Sequence, residues 1–422
     1  MPKALPRFSI GMGDRFAKEG VAQLRAVQKA LAQGVLVAPV WNKSWREHSI
    51  IGTNPSDVRA EADAAARDAG WEGEYFVDAD HINLGNVDGK PPVGSFIGPC
   101  DFFTLDVADA IGKEPCREDL ESFVTRHKNL PAIEIKGKRY DVSEGSLAGM
   151  GRTYLSAIMQ AAEIYRFIEK RKGAGTFVTE VSMDETKTPQ TPVELLFILR
   201  ELALLGVPLQ TIAPKFTGEF HKGVDYVGDA EAFAREFEYY LAVIEYAVRE
   251  SGLPGNLKLS IHSGSDKFSL YGCIHDELER TGAGVHLKTA GTTWLEEVTG
   301  LAEAGGEGLA IAKEVYRQAR TRMEEFKAPY LAVISIDDSE LPVPDEVDGW
   351  TSEQFVRALR HEQGDRLFNP SLRQLVHIGY KAAAEMGGRY LEALAASRGS
   401  VERNVTENLY ERHIKPLLIG RG

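Results

Sequence analysis

The chain has 422 residues, 43% of them apolar and 26% charged, and a formal net charge of −13 at pH 7. That length supports one large core with appendages, and the acidic balance excludes the basic footprint that nonspecific nucleic-acid binding needs. No run approaches the roughly 18 apolar residues of a membrane span, and Cys100, Cys116 and Cys273 form no CxxC spacing, so neither a disulfide framework nor a cysteine zinc site is supported. The N-terminal MPKALPRFSIGMG lacks the apolar core of a signal peptide, so a cytoplasmic location is expected.

Hydrophobic period and chain breakers predict strands near 8–13, 35–41, 75–80, 102–106, 176–181, 209–214, 257–262 and 284–288. Helical patterns lie between most of them, at 21–34, 57–70, 155–173, 193–206 and 229–251, the last with Asp229 as N-cap. Several stop at a glycine, as a C-cap requires. Eight alternations of strand and helix predict an α/β protein, a (β/α)₈ barrel over residues 1–300. Residues 107–145 read as an insertion after strand 4, with a small hairpin at 132–142 turning at Gly137-Lys138. Residues 301–422 read as a mainly helical extension with an apolar run at 330–337 and a proline-rich loop at 341–350. Such a tail covers the barrel or forms a contact between subunits of a homo-oligomer.

Chemistry concentrates where the apolar strands end. FVDADH (76–81), FVTEVSMDET (177–186), TIAPKFTGEFHKG (211–223), LKLSIHSGSDKFS (257–269) and GVHLKTAGT (284–292) each run from apolar residues into His, Asp, Glu or Lys. Barrels build active sites at that end of their strands. Asp78 and Asp80 share a strand face, with Ala79 opposite. His81, His221 and His262 follow strands 3, 6 and 7, a set of imidazoles that suits a divalent metal with open positions, although each alone suits a loop hydrogen bond equally well. His286 lies deeper in its strand and suits packing or support. Asp80 and Glu180 come from non-adjacent strands and suit a general acid/base pair, or ion pairs with rim cations; Asp184 and Glu185 lie just beyond Glu180. Arg15, Lys215, Lys222, Lys267 and Lys288 gather at the same rim, with Arg373 able to reach it from the tail, and in an acidic protein they suggest recognition of a carboxylate or a polyhydroxy group. Ser263, Ser265, Asp266, Thr289 and Thr292 add polar groups for a sugar. GMGDRF (11–16) lacks the third glycine of a dinucleotide fingerprint, no Walker or HExxH motif occurs, and HSGS is not a nucleophile elbow.

GDR (13–15), DADH (78–81), EVSMDET (180–186), KGVDYVGD (222–229), HSGSDKFS (262–269), HLKTAGT (286–292) and RQLVH (373–377) occur in order over nearly the whole chain. Together they resemble the tagaturonate epimerase family, whose members interconvert tagaturonate and fructuronate and whose relatives act as 4-epimerases on ketohexoses such as fructose and tagatose. By that resemblance Asp80 is the proton acceptor and Glu180 the proton donor. His81 and His262 bind a divalent cation (Zn, Mn, Ni, Co or Fe), with a third ligand from GEFHKG: His221, or Glu219 in its place. The substrate is a small keto-sugar or keto-uronate, inverted at a carbon β to its ketone. Because that C–H is not acidified by the carbonyl, retro-aldol cleavage and re-addition is the expected route, with Lys267, Lys288 or Arg15 holding a uronate carboxylate and Lys215 nearby. Two other classes compete: a metal-dependent aldose–ketose isomerase or aldolase on the same barrel, and a carbohydrate-binding protein without catalysis.

Overall fold

The structure, a computed structural model, describes residues 2–83, 94–128, 133–140, 142–184, 186 and 188–420. Glu185, and residues 132 and 141 at the ends of the expected hairpin, lie outside the described residues. Eight parallel strands close into a barrel: β1 Phe8–Gly13, β2 Val37–Ser44, β3 Phe76–Ile82, β4 Phe102–Asp106, β5 Val178–Ser182, β6 Thr211–Ala213, β7 Lys258–Ile261 and β8 Val285–Leu287. They neighbour one another in chain order, and β1 pairs with both β2 and β8 to close the ring. The (β/α)₈ barrel expected from the alternation is the fold observed.

The inner face of the barrel changes character along its axis. At the amino end, Ala38, Val40, Phe76, Phe102 and Val178 pack with Leu5 into a small apolar plug. Two residues further along the same strands, on the same face by the period of two, stand Asn42, Asp78, Thr104 and Glu180. The floor is therefore sealed and dry, and the charged layer sits above it, towards the carboxyl ends.

Helices α1 Gly20–Ala32, α2 Pro55–Asp68, α3 Glu144–Lys172, α4 Pro192–Leu204, α5 Ala230–Ser251, α6 Phe268–Thr281 and α7 Thr293–Ala304 surround the strands. The described part of the connection after β3 holds one helical turn, Gly94–Ile97. The insertion after β4 contains a helix, Arg117–His127, and a two-stranded hairpin, Ile133–Ile135 with Lys138–Tyr140. Its turn is Lys136-Gly137, both at positive φ, one residue earlier than the sequence suggested. Helix α3 starts eleven residues before the expected Leu155, because Ser143 caps its first turn through the Ser146 N–H. The glycines that obscure this start have a packing use: a Cβ on Gly151 would stand 2.5 Å from Leu120 of the Arg117–His127 helix.

The tail folds as short helices around a second core built from residues such as Ile311, Val315, Phe355, Leu372 and Tyr390. That core includes Trp294, Leu295 and Val298 of α7, while Leu409, Ile414 and Leu417 near the chain end pack into the barrel's own core. The extension is thus pinned to the barrel at both ends. The run at 330–337 forms no strand; it passes over the mouth, where the Lys222 N–H bonds to the Val333 carbonyl at 2.9 Å. Among the described residues no helix is long and apolar enough to cross a membrane.

Candidate active site at the barrel mouth

The centre of the charged layer is Lys288, just past β8. Gly11 on β1 makes room for it: a Cβ there would stand 1.7 Å from the Lys288 carbonyl oxygen, which accepts a 2.6 Å bond from Asn42. The buried ammonium donates to Asp78 and to Thr104, and lies 3.2 Å from Asp80 Oδ1 and 3.3 Å from Glu180 Oε1. Burial alone would depress this lysine, but the carboxylates of Asp78, Glu180 and Asp80 outweigh it and raise its pKa. The three acids respond differently. Burial pushes Asp78 up to about 7 against the pull of Lys288. For Asp80 burial is overcome by Lys288, His81 and His262, which hold it below its ordinary value. For Glu180 it is overcome by Lys288 and His262, which hold it well below. Asp80 and Glu180 therefore rest as carboxylates, bridged by one ammonium.

Above them, His81 and His262 meet edge to face, their ring centroids 5.1 Å apart. His81 closes an irregular stretch of β3, where the pairing with β4 shifts register between Ala79 and Ile82, and its φ is +53°. Such strain in a non-glycine residue collects at functional sites. Its Nδ1 stands 3.2 Å from Asp106 Oδ2. His262 Nε2 bonds Glu180 Oε1 at 2.9 Å, which leaves Nδ1 facing Asp184 Oδ1 at 3.2 Å. Burial would lower both imidazoles, yet the carboxylates around them push His81 up to about 10 and His262 up to about 9.

These groups fit a divalent cation. Among the described residues, donor atoms of His81, Asp184 and His262 all lie within 4.8 Å of one another. His262 Nδ1 is buried without a hydrogen-bond partner. Each histidine also has a carboxylate on its other nitrogen side, Asp106 or Glu180, the usual support for a metal-binding imidazole. Nitrogen and carboxylate oxygen in this number suit the transition metals named above.

Two adjoining cavities of about 300 and 430 Å³ open here and share Asp184, His262, Ser263, Ala332 and Val333 in their walls. The larger is lined by Arg15, Asp80, His81, Ser263, Ser265 and Lys288, and the smaller by Lys215 and Glu219, so most residues singled out in the sequence do meet. Arg15 is held in place: its Nε bonds Glu47 at 3.0 Å, and Glu47 is itself the third residue of a capping box with Ser44.

Three expected residues are placed elsewhere. Asp266, at φ +62°, turns into the interior and pairs with Arg373 at 2.7 Å and with His361 at 3.1 Å. Lys267 donates to the carbonyls of His221, Val224 and Ser265 at 2.7–2.9 Å. Neither is presented to the cavities. His221 stands outside the His81–Asp184–His262 cluster, with Nε2 3.9 Å from Glu219 Oε2. Asp106, Thr104, Tyr330 and His377 were not singled out as site residues. Asp106 carried a signal, a carboxylate ending an apolar strand; Tyr330 and His377 come from the tail, where no local pattern points to the mouth.

The sequence profile of the UxaE family, tagaturonate epimerase, matches residues 1–393. The chain belongs to this family. A curated relative named tagaturonate/fructuronate epimerase, from Thermotoga maritima, is 29% identical over 427 residues, covering 97% of this chain and 80% of the relative. A glycerol-complexed crystal structure of fructuronate-tagaturonate epimerase UxaE from Cohnella laeviribosi is 25% identical with a TM-score of 0.77, over 99% of this chain and 82% of that one. The native structure of that enzyme, at 22% identity and TM-score 0.78, agrees in fold, with coverage of 99% and 82%.

Proposed function

We propose that this tagaturonate epimerase family member interconverts tagaturonate and fructuronate with the help of a divalent metal, inverting the carbon β to the ketone by retro-aldol cleavage and re-addition. The relatives' names support the substrate pair. One observation carries the chemistry: Lys288 bridges Asp80 and Glu180 directly below the His81–Asp184–His262 cluster. Unpaired Cys100, Cys116 and Cys273 are in keeping with work in a reducing cytoplasm.

His81, Asp184 and His262 would hold the ion, leaving positions open for the substrate. Bound there, it supplies Lewis-acid polarisation of the ketone. Asp80, ionised at rest, accepts the proton of the substrate hydroxyl whose loss triggers C–C cleavage. Re-addition to the opposite face of the rotated aldehyde needs a proton on the new alkoxide, delivered by Glu180. Glu180 must first receive one, and His262 Nε2 and Lys288 Nζ stand 2.9 and 3.3 Å from its Oε1. Lys288 thus couples the two carboxylates while keeping both charged between turnovers.

The test is chelation followed by re-addition of Zn, Mn, Ni, Co or Fe, with tagaturonate, fructuronate, tagatose and fructose as substrates and products separated by chromatography. Loss and recovery of uronate epimerisation is the expected result; undiminished activity after stripping removes the metal, and a moved carbonyl or released fragments make the chain an isomerase or aldolase. Turnover in D₂O should leave the inverted carbon without deuterium. Deuterium at that carbon eliminates the retro-aldol route.

A further inference from the structure

Four lysine and arginine side chains line the larger cavity: Arg15, Arg46, Lys222 and Lys288. Two of them are already engaged. Lys288 is surrounded by three carboxylates, and Arg15 is bound to Glu47. Arg46 is exposed, its guanidinium 5.1 Å above the Tyr330 ring at the outer rim. The Lys222 ammonium alone is half-buried and has no hydrogen bond or ion pair among the described residues.

The same cavity holds a second unfilled group. His377 is 8% exposed and lines the same cavity. Arg15 Nη1 donates to its carbonyl at 3.0 Å, and Nη2 lies 3.2 Å from its Nε2. A guanidinium can only donate, so Nε2 accepts and the proton of the neutral ring sits on Nδ1. That Nδ1 is buried without a partner. Burial, and then the charges of Arg15 and Lys222, hold the ring well below the ordinary imidazole value, which keeps it neutral; Lys222 and His377 line one and the same cavity. A buried N–H without an acceptor costs roughly 1–3 kcal/mol unless something completes it.

We infer that Lys222 and the Nδ1–H of His377 form the subsite for the substrate's carboxylate. This rests on the epimerase reading above and names the residues that would make it selective for a sugar acid. An anion has two oxygens to satisfy both donors, and Asp80 and Asp184, which line the same cavity, repel it from their own surroundings. The backbone around Lys222 is also built for fixed placement. Its own N–H bonds the Val333 carbonyl, and Lys267 grips the carbonyls of His221 and Val224 on either side at 2.8 and 2.7 Å. A buried lysine spent on pinning three carbonyls is explained by the neighbour it positions.

The experiment is calorimetric titration of the full chain, with Mn²⁺ added, by tagaturonate, tagatose and tagatose 6-phosphate, for wild type, Lys222→Met and Lys222→Arg. Turnover of tagaturonate is followed in parallel. Lys222→Met should weaken tagaturonate binding about 10- to 100-fold, the range for removing a charged hydrogen-bond partner, and leave tagatose within about 3-fold. Lys222→Arg should restore most of the loss. Equal tagaturonate affinity in wild type and Lys222→Met, equal losses for both sugars, or tighter binding of tagatose 6-phosphate than of tagaturonate would each overturn the subsite. Lys222-dependent binding without turnover would refute the epimerase reading and leave the subsite standing; turnover with Lys222-independent binding would do the reverse.

Discussion

Two buried ionic networks lie close together in this molecule and are built on opposite terms. Around Asp266 everything is answered: one carboxylate oxygen takes Arg373 and His361, and Arg373 also reaches the carbonyls of Gly223 and Leu359 and the Thr292 hydroxyl. Around Lys288 and the histidines, the carboxylates of Asp78, Asp80 and Glu180 share a single ammonium, while Asp106 and Asp184 face the imidazoles of His81 and His262. There Asp80 Oδ1, Glu180 Oε2 and His262 Nδ1 are buried without hydrogen-bond partners. Complete satisfaction makes a joint, here between the β7 loop and the tail. Incomplete satisfaction among clustered carboxylates and imidazoles leaves room for a cation and a substrate.

That contrast predicts opposite outcomes for similar substitutions. Asp266→Asn leaves Arg373 charged and buried without its partner and should cost about 3–5 kcal/mol of stability, read from urea unfolding. Asp80→Asn should cost far less stability, because Lys288 keeps Asp78 and Glu180, while kcat falls about 10²- to 10⁴-fold, the usual worth of a general base. If Asp80→Asn unfolds the protein and Asp266→Asn leaves it intact, the two networks have been assigned the wrong way round. Next in size is Lys267→Met, which strips three carbonyls of their donor. It should destabilise by about 2–3 kcal/mol and also weaken tagaturonate binding, through the loop that carries Lys222.

The difference between the networks also marks how far the sequence could be read. Asp78, Asp80 and Glu180 were legible because side-chain alternation along a strand is local: once FVDAD is a strand, its acids share a face. Strand β4 and the cap at Asp229 were legible for the same reason. The direction of a loop residue is set at a distance. Asp266 looked like a rim acid in HSGSDK, but positive φ at Ser263 and Asp266 turns the loop, and its partner Arg373 lies 107 residues away. Asp184 joins His81 and His262 only because the barrel sets β5 one strand away from β7, which brings Asp184 against His262. His377 reaches the cavity on a helix of the tail, and no period in RQLVH announces that.

The finest separation of the two networks is by pH, in protein treated with a chelator. Asp266 sits well below its ordinary carboxyl value because Arg373 and its histidine neighbours overcome burial. An acid with a depressed folded pKa contributes stability that is complete above the unfolded value, near 4, and is lost as pH falls through the folded one. Asp78 has the opposite sign: burial holds its folded pKa at about 7. Between about pH 4 and 7 the folded state keeps a proton that the unfolded chain releases, so this residue makes stability decline as pH rises across that window. Urea midpoints from pH 3 to 8 should therefore show Asp266→Asn converging on wild type at the acid end. Asp78→Asn should show a shallower decline than wild type between pH 4 and 7. Parallel curves for Asp78→Asn and wild type would mean that the floor of the mouth is as well satisfied as the joint beside it.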